Sequence, residues 1–248
     1  MELRVKENIH SSENPNQIIV EVRNLSKRFN NSELVLQNIS FYVSSNEKVV
    51  LFGHNGSGKT TLLRCIMGFE NFEGEIKIFG ENITKDGATH IKKFLGYIPQ
   101  IHPIMSYNVS DFVEFALISK NAKIEDFEKL AETFELKTES ILKKKLNELS
   151  GGMRQKLFLI LALINSPKLL LLDEPFSNLD IHSQNKLSDI LRELKCAQII
   201  STHRIEDVYF ADRVIYLQYG KMQADLPRED FLKSFSFILK GRRQGNNE

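Results

Sequence analysis

The chain has 248 residues, 42% of them hydrophobic and 26% charged, which is typical of a globular protein with a sizeable core. A formal net charge of +1 gives no electrostatic reason to expect a nucleic acid as a partner. The two cysteines match neither a metal-ligand spacing nor a disulfide framework, which favours a reducing, cytosolic compartment.

Both ends of the chain are polar, and we expect tails at residues 1–16 and 241–248 around one domain at residues 17–240. The N-terminus has no secretory signal pattern. The longest apolar run, residues 157–164, is shorter than the ~20 residues that a membrane-spanning helix needs. Any membrane part is therefore expected on another chain.

The first structured segments, residues 18–22 and 34–43, alternate apolar and polar side chains and predict a small antiparallel sheet. A turn signal at residues 30–32 separates them. Phe29 comes directly before this turn. Its ring could stack on an adenine base or simply pack in the sheet, and the residue pattern leaves both possibilities open.

Residues 53–61, GHNGSGKTT, follow an apolar run and precede a helical pattern, which is the strand–loop–helix context of a phosphate-binding loop. The glycines let the backbone approach an anion, and the loop N–H groups form a nest for phosphates at the helix N-terminus. Lys59 supplies a charge for the β- and γ-phosphates, and Thr60 supplies a hydroxyl for Mg²⁺. The loop therefore predicts binding of a nucleoside triphosphate.

Further strands are predicted at residues 74–80 and 94–100, and residues 109–146 then carry apolar side chains at helical spacing. The lysines at 143–145 are expected on a solvated helix face. Ser150 follows as a good N-cap for a long helix that begins with two glycines. These residues alone indicate no more than a capped helix start.

The leucines at 169–172 predict a strand buried on both faces of a parallel sheet, so that Asp173 and Glu174 lie at its carboxyl end. There Asp173 fits Mg²⁺ binding through water, and Glu174 fits the polarisation of an attacking water. The alternative is that both acids cap the next helix. A helix at 182–195, a buried strand at 197–202 and a hairpin at 213–225 complete the predicted elements.

The order of these segments, over residues 18–225, resembles the ATP-binding subunit of ABC transporters. Residues 53–61 match the Walker A loop of that family, and residues 169–175 match Walker B. LSGGM at residues 149–153 is similar to the LSGGQ signature, with Met153 in place of glutamine. Since the serine and both glycines of the signature are present, we expect this change to alter affinity only modestly.

The resemblance also gives roles to isolated residues. Gln100 falls in the Q-loop and Asp180 in the D-loop, His203 matches the switch histidine, and Phe29 lies where the family keeps an aromatic residue for adenine. It implies catalytic roles for Glu174, His203 and Gln100, and a Mg²⁺ site from Thr60, Gln100 and Asp173. The residues implied to bind ATP are Phe29, Gly53, His54, Asn55, Gly56, Ser57, Gly58, Lys59, Thr60, Thr61, Ser150, Gly151, Gly152 and Asp180.

The fold implied by the resemblance is α/β. A P-loop NTPase core with a mainly parallel sheet carries an N-terminal antiparallel β subdomain and an inserted α-helical subdomain at about residues 101–165. Two ATPase subunits, identical or different, would pack head to tail with ATP between the Walker A loop of one and the signature of the other. The chain would hydrolyse ATP on the cytoplasmic side of the membrane, bound to transmembrane permease subunits and to no nucleic acid.

The main alternative is a soluble ABC ATPase of the iron–sulfur assembly or DNA-repair type. The sequence shows none of the long coiled coils, zinc sites or basic stripes that are usual in the DNA-repair type. A simple P-loop kinase would have no use for LSGGM or for the D-loop sequence SNLD at residues 177–180. The sequence contains almost no information about the transported substrate, which would contact the membrane subunits.

The segment after Gln100 is rich in apolar residues but too irregular for a helix or a strand, so we expect a loop. We predict that Met105 and Tyr107 contact a membrane subunit. The alternative is that Ile101 and Ile104 pack in the core. The residues that follow at helical spacing are expected to pack inside the helical subdomain: Val109, Phe112, Val113 and Ala116.

Overall fold

The computed structural model describes residues 17–29, 34–83, 91, 93–102, 106–177 and 179–234. Several predictions concern residues outside the described ranges: the two tails, the turn at residues 30–32, the predicted contact residue Met105, and Ile104, whose packing in the core was the alternative.

The first sheet is antiparallel throughout and has the strand order β2-β1-β4-β5 within the described residues. The predicted pairing of the two N-terminal segments is confirmed, because they form its two longest strands. Their buried side chains pack with those of the helix that follows the phosphate loop. The strands are β1 (Ile18–Arg28), β2 (Leu34–Ser44), β4 (Glu73–Ile78) and β5 (Glu81–Asn82).

The second sheet has the order β10-β9-β3-β8-β7-β6 within the described residues. All its neighbours are parallel except β9 and β10, which form the predicted hairpin. Every residue of β7 and β8 is buried, as expected for central strands of a parallel sheet. The strands are β3 (Lys48–Phe52), β6 (Leu95–Ile98), β7 (Leu169–Asp173), β8 (Ala197–Thr202), β9 (Arg213–Gln218) and β10 (Lys221–Pro227).

The helices lie mainly between β6 and β7, where they form the predicted helical subdomain. Val109 and Val113 are fully or almost fully buried in its core, and Phe112 and Ala116 pack against that core, so their predicted packing is confirmed. The described helices are α1 (Lys59–Ile66), α2 (Val109–Lys120), α3 (Ile124–Thr133), α4 (Thr138–Ile141), α5 (Gly151–Leu163) and α6 (Ile181–Glu193), with a helical segment at residues 228–234.

The helical prediction is wrong at the three lysines, residues 143–145. There the backbone turns, with Lys144 N donating to Ile141 O at 3.0 Å, and it also bonds to the residues around the start of α2. Val109 N donates to Lys144 O at 2.8 Å, and Leu146 N donates to Tyr107 O at 3.0 Å. Lys145 also forms an isolated bridge with Asn108. Because a short helix is marginal by itself, these tertiary hydrogen bonds decide the local conformation.

The parallel sheet decides where the candidate site lies. Strand β8 lies between β3 and β7 in the sheet, and all three run in the same direction. The residues that follow these strands, Gly53, Glu174 and His203, therefore meet at one edge of the sheet. Within the part of the chain that the structure describes, no helix is long and apolar enough to span a bilayer.

Candidate functional site

The loop after β3 has the backbone conformation that a phosphate cradle requires. Gly56 and Gly58 have φ angles of 81° and 102°, in the left-handed region that favours glycine. Gly53 N donates to Thr202 O at 3.2 Å, and a Cβ on Gly53 would lie 2.3 Å from Leu217 O. Glycine is thus needed at position 53 because the backbones of the loop and of β9 lie in contact.

The turn of the β9–β10 hairpin supports the same loop from outside. Gly220 N donates to Ser57 O at 3.2 Å, and Gly220 O accepts from Gln37 N of β2 at 2.8 Å. The centroid of the Tyr219 ring lies 5.1 Å from the centroid of the His54 ring. The hairpin turn therefore joins the loop to the antiparallel sheet.

Lys59 places a positive charge almost entirely inside the protein. Its Nζ donates to Gly53 O at 2.8 Å and to His54 O at 3.1 Å, and it lies 3.9 Å from Glu174 Oε1. Burial lowers the pKa of the Lys59 ammonium, and the charges of Glu174 and Asp173 oppose this shift. An anion such as a phosphate would further favour the charged form.

Asp173 lies at the end of β7 with its side chain buried. Its Oδ1 accepts a hydrogen bond from Ser201 Oγ, whereas its buried Oδ2 has no hydrogen-bond partner among the described residues. Burial raises the pKa of this carboxyl, and interactions with Ser201 and Thr60 lower it. An unsatisfied carboxylate oxygen beside a threonine hydroxyl fits a hard cation such as Mg²⁺.

No group of three or more His, Cys, Asp or Glu side chains in the described ranges could hold a metal ion without further ligands. A Mg²⁺ ion at Thr60 and Asp173 would therefore need oxygens from a nucleotide and from water. This is the usual arrangement for magnesium, which keeps several waters and binds substrate phosphates.

Glu174 lies between the imidazole of His203 and the ammonium of Lys59. Its Oε1 lies 3.2 Å from His203 Nδ1 and 3.9 Å from Lys59 Nζ, and its side chain is 10% exposed. Its backbone has a φ of 49°, and its N–H donates to Ser201 O at 3.1 Å and to Ser201 Oγ at 3.0 Å. These bonds aim the carboxylate at the cleft.

The alternative that both acids cap the next helix is wrong. Asp180 is the N-cap residue of α6, and it accepts from Ser183 N and Ser183 Oγ, both at 2.9 Å. The backbone and side-chain bonds from Ser183 lower the pKa of the Asp180 carboxyl. Asp173 and Glu174 are therefore left for the site.

A cleft of about 300 Å³ lies at this edge of the sheet. The structure brings together there many residues of the predicted nucleotide and metal sites, with Gln100 at the exposed rim. Its lining residues are Val35, Asn55, Gly56, Gly58, Lys59, Thr60, Thr61, Gln100 and Glu174.

Several predicted site residues are absent from this lining. Ser150 is the N-cap residue of α5, accepts from Met153 N at 3.2 Å, and is exposed together with Gly151. Asp180 is engaged in its cap, and Phe29 is 40% exposed beside Lys27. Ser150 and Gly151 of the signature segment thus face solvent in the single chain.

Two buried polar residues of the site were missed by the sequence analysis. Ser201 pairs in register with Asp173 and bonds to both acids, and its place near the carboxyl end of a predicted buried strand was the available signal. Gln155 lies in α5, where its Nε2 donates to Pro175 O at 2.8 Å and its Oε1 accepts from His102 Nε2. It joins the signature helix to the residue after Glu174.

The sequence comparisons agree with this geometry. A family model described as ABC transporter matches residues 36–177, which is more than half of the chain. The ABC transporter ATP-binding protein YxlF of Bacillus subtilis, named as uncharacterized, is 32% identical over 92% of this chain and 79% of its own length. The Fe(3+) ions import ATP-binding protein FbpC 2 of Haemophilus influenzae is 36% identical over 86% of this chain. Some relatives are longer, and the chain spans 40% and 63% of the lengths of two of them.

A solved structure is similar over most of the chain. It is described as the dimeric post-hydrolysis state of the ATP-binding cassette MJ0796 bound to ADP and Pi. Its TM-score is 0.76 at 26% sequence identity, and the similarity covers 85% of this chain and 99% of that chain. The similarity therefore extends over most of the fold.

The hairpin turn provides a test of how the loop is supported. Gly220 and Gly80 have similar φ angles, 72° and 81°, but only at Gly220 would a Cβ meet backbone, 2.3 Å from Val35 O. We expect Gly80→Ala to lower the free energy of unfolding by about 1–2 kcal/mol through the φ angle alone. Gly220→Ala should cost about 1–3 kcal/mol more because of the clash, and it should also weaken ATP binding.

Urea unfolding and nucleotide titration of both variants measure these effects. Equal losses of stability in the two variants, with ATP affinity unchanged, would show that the turn does not support the loop.

Proposed function

This chain belongs to the ABC transporter family, and we propose that it is the ATP-hydrolysing subunit of a transporter whose membrane subunits are separate chains. The observation that carries the proposal is that Lys59, Asp173 and Glu174 lie together at one edge of the parallel sheet, where Lys59 and Glu174 line the cleft. A phosphate-binding charge, a carboxylate with an unsatisfied oxygen and a second carboxylate are the groups that ATP hydrolysis needs. The chain would act on the cytoplasmic side of the membrane.

The loop at residues 53–59 would bind the phosphates. Its N–H groups and the N-terminus of α1 attract phosphate oxygens. Lys59 Nζ, which donates to two loop carbonyls in this structure, would exchange one of these bonds for a phosphate oxygen. Mg²⁺ would be held by the Thr60 hydroxyl, by Asp173 through water and by Gln100, and it would neutralise phosphate charge.

Glu174 would orient and polarise the water that attacks the γ-phosphate. Glu174 lines the cleft, and His203 Nδ1 lies 3.2 Å from its Oε1. Positioned general-base groups of this kind contribute about 10²–10⁴-fold to a rate. Lys59 would instead contribute mainly through binding.

Glu174→Gln tests this division of roles. The amide has the same shape but accepts a proton poorly, so we expect ATP binding to persist while turnover falls about 10²–10⁴-fold. Lys59→Ala is the matched comparison and should lose both binding and turnover, because it removes the phosphate-binding charge. Phosphate release and equilibrium ATP titration measure the two effects, and unchanged turnover in Glu174→Gln would reject the assignment.

Two ATPase subunits are proposed to share each ATP. In the single chain Ser150 and Gly151 are exposed and lie outside the cleft lining, although they open a helix that could attract an anion. The dimeric cassette with ADP and Pi is similar to this chain over most of its length. A second copy would bring its α5 N-terminus to the γ-phosphate, and loss of that phosphate would release the contact.

Mixing two inactive variants tests the shared site. In a dimer of Ser150→Arg and Lys59→Ala chains, one site would have an intact phosphate loop and an intact signature, while the other would lack both. We therefore expect each variant to be inactive by itself and the mixture to regain partial ATPase activity. Absence of any recovery, in a mixture shown by size exclusion to form dimers with ATP, would contradict a shared site.

The segment after Gln100 is our proposed contact with a membrane subunit. Ile101 is 81% exposed and Tyr107 is 64% exposed, so the alternative that Ile101 packs in the core is wrong. Phe115 and Ile118 on α2 are also exposed, each at 72%. A contiguous patch of exposed apolar side chains is typical of a protein interface, and these residues are our candidates for such a patch. The membrane subunits would decide the cargo and its direction.

Replacing both exposed residues, Ile101→Ser with Tyr107→Ser, tests this contact. Because neither side chain is buried, we expect the melting temperature and ATP binding of the chain to stay unchanged. Co-purification with the membrane subunits should fall. Tyr209→Ser is the control, since Tyr209 is 61% exposed but lies outside the helical subdomain. If the melting temperature fell in the double variant but not in the control, these side chains would instead stabilise the fold of the chain.

A further inference from the structure

A buried lysine lies against the aromatic residue that is predicted to bind adenine. Lys27, near the end of β1, is only 7% exposed, and its Nζ lies 4.4 Å from the centroid of the Phe29 ring. Phe29 itself is 40% exposed. One face of an accessible ring is therefore covered by a cation that the protein has withdrawn from water.

The position of this lysine is fixed by a chain of charges. Lys27 Nζ lies 3.2 Å from Glu70 Oε2, and Glu70 Oε1 accepts from Arg64 Nε at 3.0 Å. Arg64 belongs to α1, the helix that begins at the phosphate-binding Lys59. The chain Lys27–Glu70–Arg64 thus connects the aromatic ring to the helix of the phosphate loop.

Burial of a lysine costs free energy, and the ion pair with Glu70 offsets this cost. A cation over a ring face is attracted by the π electrons and restricts how the ring can turn. An aromatic ring that is already oriented contributes more to binding, because less conformational freedom is lost when the ligand arrives. Packing of β1 alone would be served equally well by an apolar side chain.

We propose that Lys27 is a positioning residue for base recognition, which holds Phe29 so that the opposite face of its ring stacks on the adenine of ATP. The inference rests on the proposed ATPase function and on the predicted stacking of Phe29. The ion pairs of Lys27 with Glu70 and of Glu70 with Arg64 then fix the position of the Phe29 ring relative to α1. The base and the phosphates of one nucleotide are then bound by parts of the protein that are tied together.

The test compares a ligand that has a base with one that has none. Lys27→Met removes the charge and keeps an apolar stem, and Glu70 retains Arg64 as its partner. Dissociation constants are measured by calorimetry on the full chain with Mg²⁺, for ATP and for inorganic tripolyphosphate. We expect Lys27→Met to weaken ATP binding about three- to tenfold and to leave tripolyphosphate binding unchanged.

Three companion variants make the result specific. Phe29→Ala should weaken ATP binding selectively, and Lys27→Met should add nothing in the Phe29→Ala background. Lys27→Arg should retain the parent affinity, because a guanidinium also binds a ring face and a carboxylate. Lys77→Met, which removes an ion pair with Glu75 on β4, should change neither affinity.

A purely structural role for Lys27 would give other results. Equal weakening of ATP and tripolyphosphate binding by Lys27→Met, or additive losses in the double variant, would overturn the inference. An unchanged preference for ATP in Phe29→Ala would overturn it as well. In all these outcomes the parent chain still hydrolyses ATP, whereas failure of the proposed function would appear as absence of that turnover.

Discussion

The ammonium of Lys59 is almost wholly buried, and a buried charge is costly unless opposite charges or dipoles surround it. In this fold the loop carbonyls of Gly53 and His54 accept its hydrogen bonds, while Glu174 lies 3.9 Å away. This arrangement requires that the loop after β3 and the acids at the end of β7 lie at the same edge of the sheet. The fold achieves this because β3, β8 and β7 are neighbouring parallel strands. The hairpin contact at Gly220 and the bonds from Ser201 then keep both segments in place.

Much of this arrangement could be predicted because it depends on short stretches of sequence. The glycine pattern of the loop specifies its left-handed backbone, and the leucines of β7 specify a strand buried on both faces. The position of Asp173 and Glu174 beside the loop then follows from the rule that ligands bind at the carboxyl ends of parallel strands. Ser150 as a helix cap is also local, since it needs only the N–H of Met153 three residues later.

The remainder depends on contacts between segments that are distant in sequence. The segment at 143–145 is not helical because Tyr107 and Val109 hydrogen-bond to the residues around it, and no periodicity reports such bonds. Ser201 acquires its role only from its register with Asp173. The ion pair of Lys27 with Glu70 likewise joins β1 to the turn after α1. Because these residues are far apart in the sequence, the sequence alone does not distinguish Lys27 from an exposed lysine.

The single chain carries the two halves of the proposed ATP site on separate surfaces. The phosphate loop and Glu174 line one cleft, whereas Ser150 and Gly151 are exposed and lie outside its lining. A direct physical link nevertheless joins the signature helix to the acids, because Gln155 of α5 donates to Pro175 O, next to Glu174. The same amide bonds to His102, two residues after Gln100 and directly after the exposed Ile101. In the proposed cycle, a shift of α5 when a second copy closes on ATP would therefore reach both the catalytic glutamate and the proposed membrane contact through one buried side chain.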